Sequence, residues 1–416
     1  MKQLSGTEAR KRVLKNIDRE ETARLLRDLI RIPSVSGEEK DCADFVAQKL
    51  KAAGVKVEIQ RLSKNRPVIL GTVKGRRRHP ALALEAHLDT VPPGNLDLWE
   101  HDPFGGQIVG NRIYGRGACD SKGSLASIVI AADAIAESGT ELDGDLILVC
   151  PPDAEGLMQG AVRLVETGAV RRWDSMISCE ATSLEFIVIA YKGTLRYDVI
   201  SLGKQAHAAN PEKGVNAIYK MGKIVSAIEN MRMTYKPHRL LGHPVFNVGA
   251  IEGGVGPALV PNYCKIKMDV RTVPGQSERT VSSDIQHALA RLRATDTQLK
   301  FQVKQTLTGK AARIPVEVSS KEPVIGALVD ATENITGNRP RIIGHGWSTT
   351  ASMIMVHNRP FGNPPGVTFG PGVAEFAHVA DENIEMPQVV DAAKIYAITA
   401  LDLLLQSRKG VEPHRQ

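Results

Sequence analysis

The sequence predicts an α/β fold with a mixed, largely parallel sheet, interrupted by a smaller α+β unit. Three observations carry this expectation. The chain has 416 residues, beyond the roughly 250–300 at which a single core stops growing, so two globular units are expected. Near-continuous apolar runs alternate with helix-like segments in the first and last parts of the chain, the texture of strands buried on both faces of a parallel sheet. Between about residues 190 and 310 the strands alternate apolar and polar residues instead, as a sheet with one wet face does.

Taken in order, Asp18-x-x-Glu21 has the form of a capping box, and Leu25, Leu26, Leu29 and Ile30 give one apolar helix face that Pro33 ends. The runs Ala81 to His87, Leu146 to Cys150 and Ser175 to Cys179 read as buried strands, and the alanine-rich Ser124 to Ala136 as a helix between them. The texture changes after Tyr191-Lys192-Gly193. Leu195, Tyr197 and Val199, and later Cys264, Ile266, Met268 and Val270, occupy alternate positions. Val281, Ile285, Ala288, Leu289 and Leu292 then have helical spacing. After Pro315 the first texture returns, with a helix near Val324 to Thr336, a glycine-rich loop at Gly344-His345-Gly346 and a turn at Gly370-Pro371-Gly372. The expected division is 1–189, 190–310 and 311–416, the outer two segments forming one unit.

Composition excludes several function classes. With 53 Lys plus Arg against 46 Asp plus Glu, the net charge of +7 is modest and dispersed. The one basic cluster, Lys74, Arg76, Arg77 and Arg78, has no interleaved aromatic residues; it reads as a solvated turn with a mild attraction for small anions, not as a nucleic-acid surface. Five scattered cysteines without a CxxC pair argue against disulfides and thiolate metal sites, and point to a reducing, cytoplasmic compartment. Met1-Lys2-Gln3-Leu4-Ser5 leads into charged sequence, not an apolar leader, and no run of about 18 apolar residues follows, so no membrane association is expected.

The chemistry concentrates in a few motifs. In Glu85-Ala86-His87-Leu88-Asp89, strand alternation puts His87 and Asp89 on one face at a strand's C-terminal end, where α/β sheets bind ligands. A carboxylate two residues away suits holding the second ring nitrogen of a ligating histidine. Next come Trp99, Asp102-Pro103-Phe104, and Tyr114-Gly115-Arg116-Gly117-Ala118-Cys119-Asp120-Ser121-Lys122-Gly123. In this order the motifs H-x-D, D-P-F, Y-G-R-G and D-x-K-G make the chain resemble the M20 family of metallopeptidases and deacylases, over nearly its whole length. The resemblance implies a catalytic α/β domain interrupted by a lid or dimerisation domain, a homodimer or higher homo-oligomer, and a pair of divalent ions. By position it makes Asp120 the bridging carboxylate, places His87 and Glu180 at one ion, and Glu155 with His378 at the other. Carboxylates and imidazoles without thiolates suit zinc, manganese or cobalt, and such a pair activates water and polarises the bond attacked. The implied reaction is hydrolysis of a C–N bond in a small molecule.

The chain departs from the family pattern where the general base belongs. In Pro152-Asp153-Ala154-Glu155-Gly156 the base position is Ala154, whose methyl cannot move a proton. Losing a base removes about 10²- to 10⁴-fold in rate, so the chain is expected to bind substrate and turn it over poorly. Because every other metal-site residue is retained, an introduced, substrate-trapping substitution is the preferred explanation. The resemblance also makes His207, in Gly203-Lys204-Gln205-Ala206-His207, the residue that steadies an oxyanion in a partner subunit. Arg271 is a candidate for a substrate carboxylate, with an ion pair to Asp269 as its alternative, and His345 a candidate substrate contact. Ala258 and Thr350 stand where the family commonly has Asn and Asp. These changes keep two alternatives open: an aminohydrolase of an aromatic amine such as nitroanthranilate, which the family includes, and a binding protein without turnover.

Overall fold

The computed structural model describes residues 6–308, 313–358 and 364–405. The first five residues and the 310/311 boundary lie outside these. The chain forms two compact units: Met1–Ile189, Val318–Ile343 and Thr349–Gln416 make the first, and Ala190–Glu317 with Gly344–Ser348 the second.

The first unit is built on a mixed sheet. Its central strands Asp145–Cys150, Ala81–Glu85, Ser175–Ser178 and Gly366–Thr368 run parallel, in that spatial order. Antiparallel strands flank them: Lys56–Ser63 and Arg66–Val73 on one side, Phe186–Tyr191 on the other. The parallel strands are the expected apolar runs, and Ala81–Glu85 is buried at every position. Helices cover both faces. Lys40–Ala52, Gly123–Glu137 and Met386–Leu404 pack on one, while Gln159–Glu166 and Thr350–Asn358 close the other over Val68, Leu70, Ala83, Val149 and Met176.

The predicted first helix spans Arg19–Ile30, with the Asp18 carboxylate accepting the Glu21 N–H at 2.8 Å, and buries Leu25, Leu26, Leu29 and Ile30. Its C-terminal end is fastened from outside. The Lys122 ammonium, fully buried, donates to the carbonyls of Leu29 (2.9 Å), which also takes up the Ile32 N–H, and of Ile32 (2.7 Å).

The second unit is an antiparallel sheet in the order Val245–Gly253, Tyr263–Thr272, Gly193–Leu202, Lys300–Gln305. The predicted alternation places Leu195, Tyr197, Val199, Cys264, Ile266, Met268 and Val270 inward, against the helices Ala217–Glu229 and Glu278–Thr295. One expectation needs correction: His345 is not on a loop but ends the strand Arg341–His345, where its carbonyl accepts the Lys192 N–H at 3.0 Å. The β-branched Ile342-Ile343 pair carries the strand up to the glycine.

Replacing Lys122 with Met removes the donor of two helix-end carbonyls. The Leu29 carbonyl keeps the Ile32 N–H, while loss of the donor to the Ile32 carbonyl costs about 1–3 kcal/mol, so a lowered melting temperature with faster amide exchange across Arg19–Ile30 is the expected outcome. Unchanged exchange there would refute this account of how the helix is held.

Candidate metal centre

Three parallel strands deliver their C-terminal ends to one place. Ala81–Glu85 leads to His87, Asp145–Cys150 to Glu155 and Ser175–Ser178 to Glu180. Asp120 comes from the turn preceding the helix Gly123–Glu137, and His378 from the segment after the short turn Ala374–Phe376.

Asp120 lies between two imidazoles. Its Oδ1 is 2.9 Å from His87 Nε2, and its Oδ2 is 3.2 Å from His378 Nε2. Each histidine has a second carboxylate: Glu180 Oε2 lies 4.0 Å from His87 Nε2, and Glu155 Oε1 lies 2.8 Å from His378 Nε2. Ligand atoms of His87, Asp120 and Glu155 all fall within 4.8 Å of one another. Two donor sets therefore share one carboxylate, each oxygen serving one set. The two histidines differ in depth, for the His87 side chain is 3% exposed and that of His378 48%.

Imidazole and carboxylate charges support each other here, while the carboxylates oppose one another. Burial pushes the Glu180 carboxyl well up, and Asp120, Glu85 and Glu155 add to it, His87 opposing. Burial opposes a charge on His87, but Asp120, Asp89 and Glu180 outweigh it and hold its pKa well above the ordinary value. Asp120 and Glu155 raise His378 to about 10. Burial opposes the Asp120 charge, yet its two histidines hold it ionised below the usual carboxylate range. Crowded carboxylates facing imidazole nitrogens are a donor set that suits divalent cations, and hard oxygen with borderline nitrogen ligands fits zinc, manganese or cobalt.

The supporting residues explain how the chain holds this geometry. Asp89, expected to orient His87, does so mainly through its backbone: His87 Nδ1 is 2.8 Å from the Asp89 carbonyl oxygen and 3.6 Å from its carboxylate. The Asp89 carboxylate instead accepts the N–H groups of Ala154 (2.9 Å) and Glu155 (3.1 Å) and the Ser36 hydroxyl. Position 154 is thus pinned by its backbone while its methyl is half-buried. The preceding Asp153 has φ 71 and His378 has φ 64, conformations costing about 1–3 kcal/mol each outside glycine. At Asp153, ion pairing with Arg66 and bonds from the Leu157 and Gln159 N–H groups hold the strained residue in place.

Sequence reasoning missed Glu382. Its Oε1 accepts the N–H groups of both Cys119 and Asp120 at 2.9 Å, and its Oε2 accepts from Arg116 at 2.6 Å. The carboxylate is fully buried and burial raises its pKa. It sets the backbone from which Asp120 projects. Only its place four residues after His378 could have signalled it. Glycine makes a second close approach possible: a Cβ on Gly370 would lie 2.6 Å from the Glu180 carbonyl oxygen.

The remaining predicted residues lie in the second unit. His207 is exposed on the short strand Ala206–His207, and its Nδ1 accepts the Ala209 N–H at 3.0 Å. Arg271 Nε donates to Asp269 at 2.6 Å and its Nη1 to the Thr194 hydroxyl at 3.1 Å, so the ion-pair alternative is present. His345 accepts the Gly346 N–H on Nδ1, and burial lowers it to about 4.

A proton and a metal ion compete for the same nitrogens. With the metal-free pKa of His378 raised to about 10 and His87 also raised, loading at pH 7 must expel protons, and affinity must rise with pH up to about 10. Titrating manganese into metal-free protein in two buffers of different ionisation enthalpy should show this release. Identical heats in both buffers would contradict the protonation scheme.

The model of the family described as Peptidase family M20/M25/M40 matches residues 83–402. The uncharacterized protein YgeY of Escherichia coli K12 is 28% identical over 395 residues, covering 92% of this chain and 94% of that protein. Acetylornithine deacetylase of Photorhabdus laumondii is 29% identical over 388 residues, with 89% and 94% covered. Among solved structures, aminopeptidase PepT of Bacillus cereus superposes with a TM-score of 0.77 at 21% identity, covering 93% of this chain and 99% of that one, a likeness of fold. With the family model spanning most of its length, the chain belongs to Peptidase family M20/M25/M40.

Proposed function

We propose that the chain is a dinuclear-metal hydrolase of a C–N amide bond in a small substrate, and that its residue at position 154 leaves it impaired. The observation that supports this most is the division of Asp120 between two histidine–glutamate pairs. Two divalent ions held by His87, Asp120, Glu155, Glu180 and His378 would activate water and polarise the bond attacked.

The chain's own residues supply the rest. Asp89 fixes the backbone at 154 and 155. A carboxylate at 154 would take a proton from water and deliver it to the leaving amine, a transfer the Ala154 methyl cannot perform. With Nδ1 of His207 accepting a hydrogen bond, the neutral ring carries its proton on Nε2, the donor an oxyanion requires. Arg271 keeps Nη2 for a substrate carboxylate, while His345, neutral at pH 7, would contact the substrate through Nε2.

A homodimer completes this reading, since His207 would serve the partner's site. The strand Val245–Gly253 is a sheet edge, and Ile251 on it is 61% exposed, the type of edge that pairs with another chain. A cytoplasmic setting agrees with five buried free cysteines and with the absence, among the described residues, of any helix long and apolar enough to cross a membrane.

Turnover of N-acyl amino acids, dipeptides and aromatic amines by manganese- or zinc-loaded Ala154→Glu protein tests the reaction. A gain of about 10²-fold or more on an acyl amino acid or dipeptide is the expected outcome. Ammonia released from an aromatic amine would favour the aminohydrolase, a reading supported by Ala258 beside the His207 segment. The Thr350 change supports it less, because Thr350 is buried. Binding without turnover would sink both in favour of a binding protein. For the assembly, light scattering should give a dimer that Ile251→Lys converts to monomer; a wild-type monomer would exclude His207 acting across subunits.

A further inference from the structure

The basic cluster before Ala81 is an exposed turn, as expected, and it also faces a cavity. It forms part of the wall of a cavity of about 540 Å³ in the first unit. Lys74, Arg77 and Arg78 meet there with Lys56 from the edge strand and with Arg171 and Arg172 from the turn Ala169–Arg172. These segments are far apart in sequence, so no local count of charges reveals their convergence.

The nearby carboxylates are already engaged. Asp145 accepts the Gly75 N–H at 2.9 Å, and Glu58 accepts from Gln60 while lying 3.6 Å from Arg172. Arg76, which also lines the cavity, is bound to Glu141. Lys56, Lys74, Arg77 and Arg78 form no ion pair among the described residues. Crowding exposed cations in one concavity concentrates positive potential that a bound anion relieves.

We propose that this cavity binds a small molecule carrying several phosphate groups. Its volume lies in the range of small-ligand sites, roughly 300–1,000 Å³. Guanidinium forks match phosphate oxygens in pairs. Among the described residues no Phe, Tyr or Trp lines it and Ile147 is its one aliphatic wall residue, so charge and not base stacking selects the ligand. A free phosphorylated metabolite and a short polyphosphate share this chemistry.

The site is separate from the metal centre. His79, Asp145 and Arg172 sit at or before the N-terminal ends of the three parallel strands whose C-terminal ends lead to His87, Glu155 and Glu180. At about 3.3 Å per residue the two ends are on the order of 20 Å apart.

Inorganic tripolyphosphate titrated calorimetrically into the metal-loaded full chain tests the proposal, with metal content measured alongside because the probe chelates. One saturable site is expected, weakened at least tenfold by Arg77→Glu, Arg78→Glu or Lys56→Glu, unchanged by Lys321→Glu, and falling steeply with salt. Arg78→Gln and melting temperatures confirm that the variants fold; Arg78→Gln should weaken binding by less than Arg78→Glu. No saturable binding, or heat that merely tracks metal loss and persists in the variants, overturns the proposal. Equal, variant-sensitive binding of an RNA oligomer or of phosphatidylserine vesicles would overturn the ligand class.

Discussion

Everything at the candidate metal centre depends on one carboxylate shared by two imidazoles. Asp120 can turn one oxygen to His87 and the other to His378 because its backbone is held from behind by Glu382, which takes up two consecutive N–H groups. The Glu382 charge is in turn matched by Arg116, itself 2% exposed. A buried carboxylate without such partners would lose a large desolvation energy. The cost of this arrangement is offset by hydrogen bonds that also fix the ligand, so rigidity and charge compensation come from the same contacts.

The sheet supplies the second constraint. Parallel strands end at a common edge, and three neighbouring strands each lead directly into a residue of the centre. Connections at this edge bend sharply at non-glycine residues with positive φ, at Asp153 after the strand Asp145–Cys150 and at His378 after Gly366–Thr368. Both strained positions adjoin or form the donor set. Strain of this kind persists only where surrounding bonds over-determine it, and around Asp153 the Arg66 pair and two backbone donors do so.

Depth divides the labour within the centre. His87 is closed off behind the strand ends while His378 stands at the rim, so one imidazole is sealed by the core and the other faces solvent. Position 154 lies beside the centre with its backbone fixed by Asp89. The second unit follows different rules. Its sheet buries one face and leaves an exposed edge strand, a surface suited to association and not to catalysis by itself.

Much of this was legible in the sequence because it rests on local pattern. Apolar runs of strand length gave away the parallel core, period-two alternation the second sheet, and a fixed order of short motifs the residues that the fold brings together around Asp120. Short-range geometry even placed Asp89 beside His87, although not the choice of the Asp89 carboxylate to bind the backbone at 154 and 155. What no local pattern encodes is which distant groups meet. Glu382 reaching Cys119 and Asp120, Lys122 closing the helix at Leu29 and Ile32, and Lys56 joining Arg78 and Arg172 around one cavity all arise when strands and turns remote in sequence are packed edge to edge. Residue type and spacing determine the elements and their chemistry; only the three-dimensional packing decides which charges are buried together, and therefore which must be compensated.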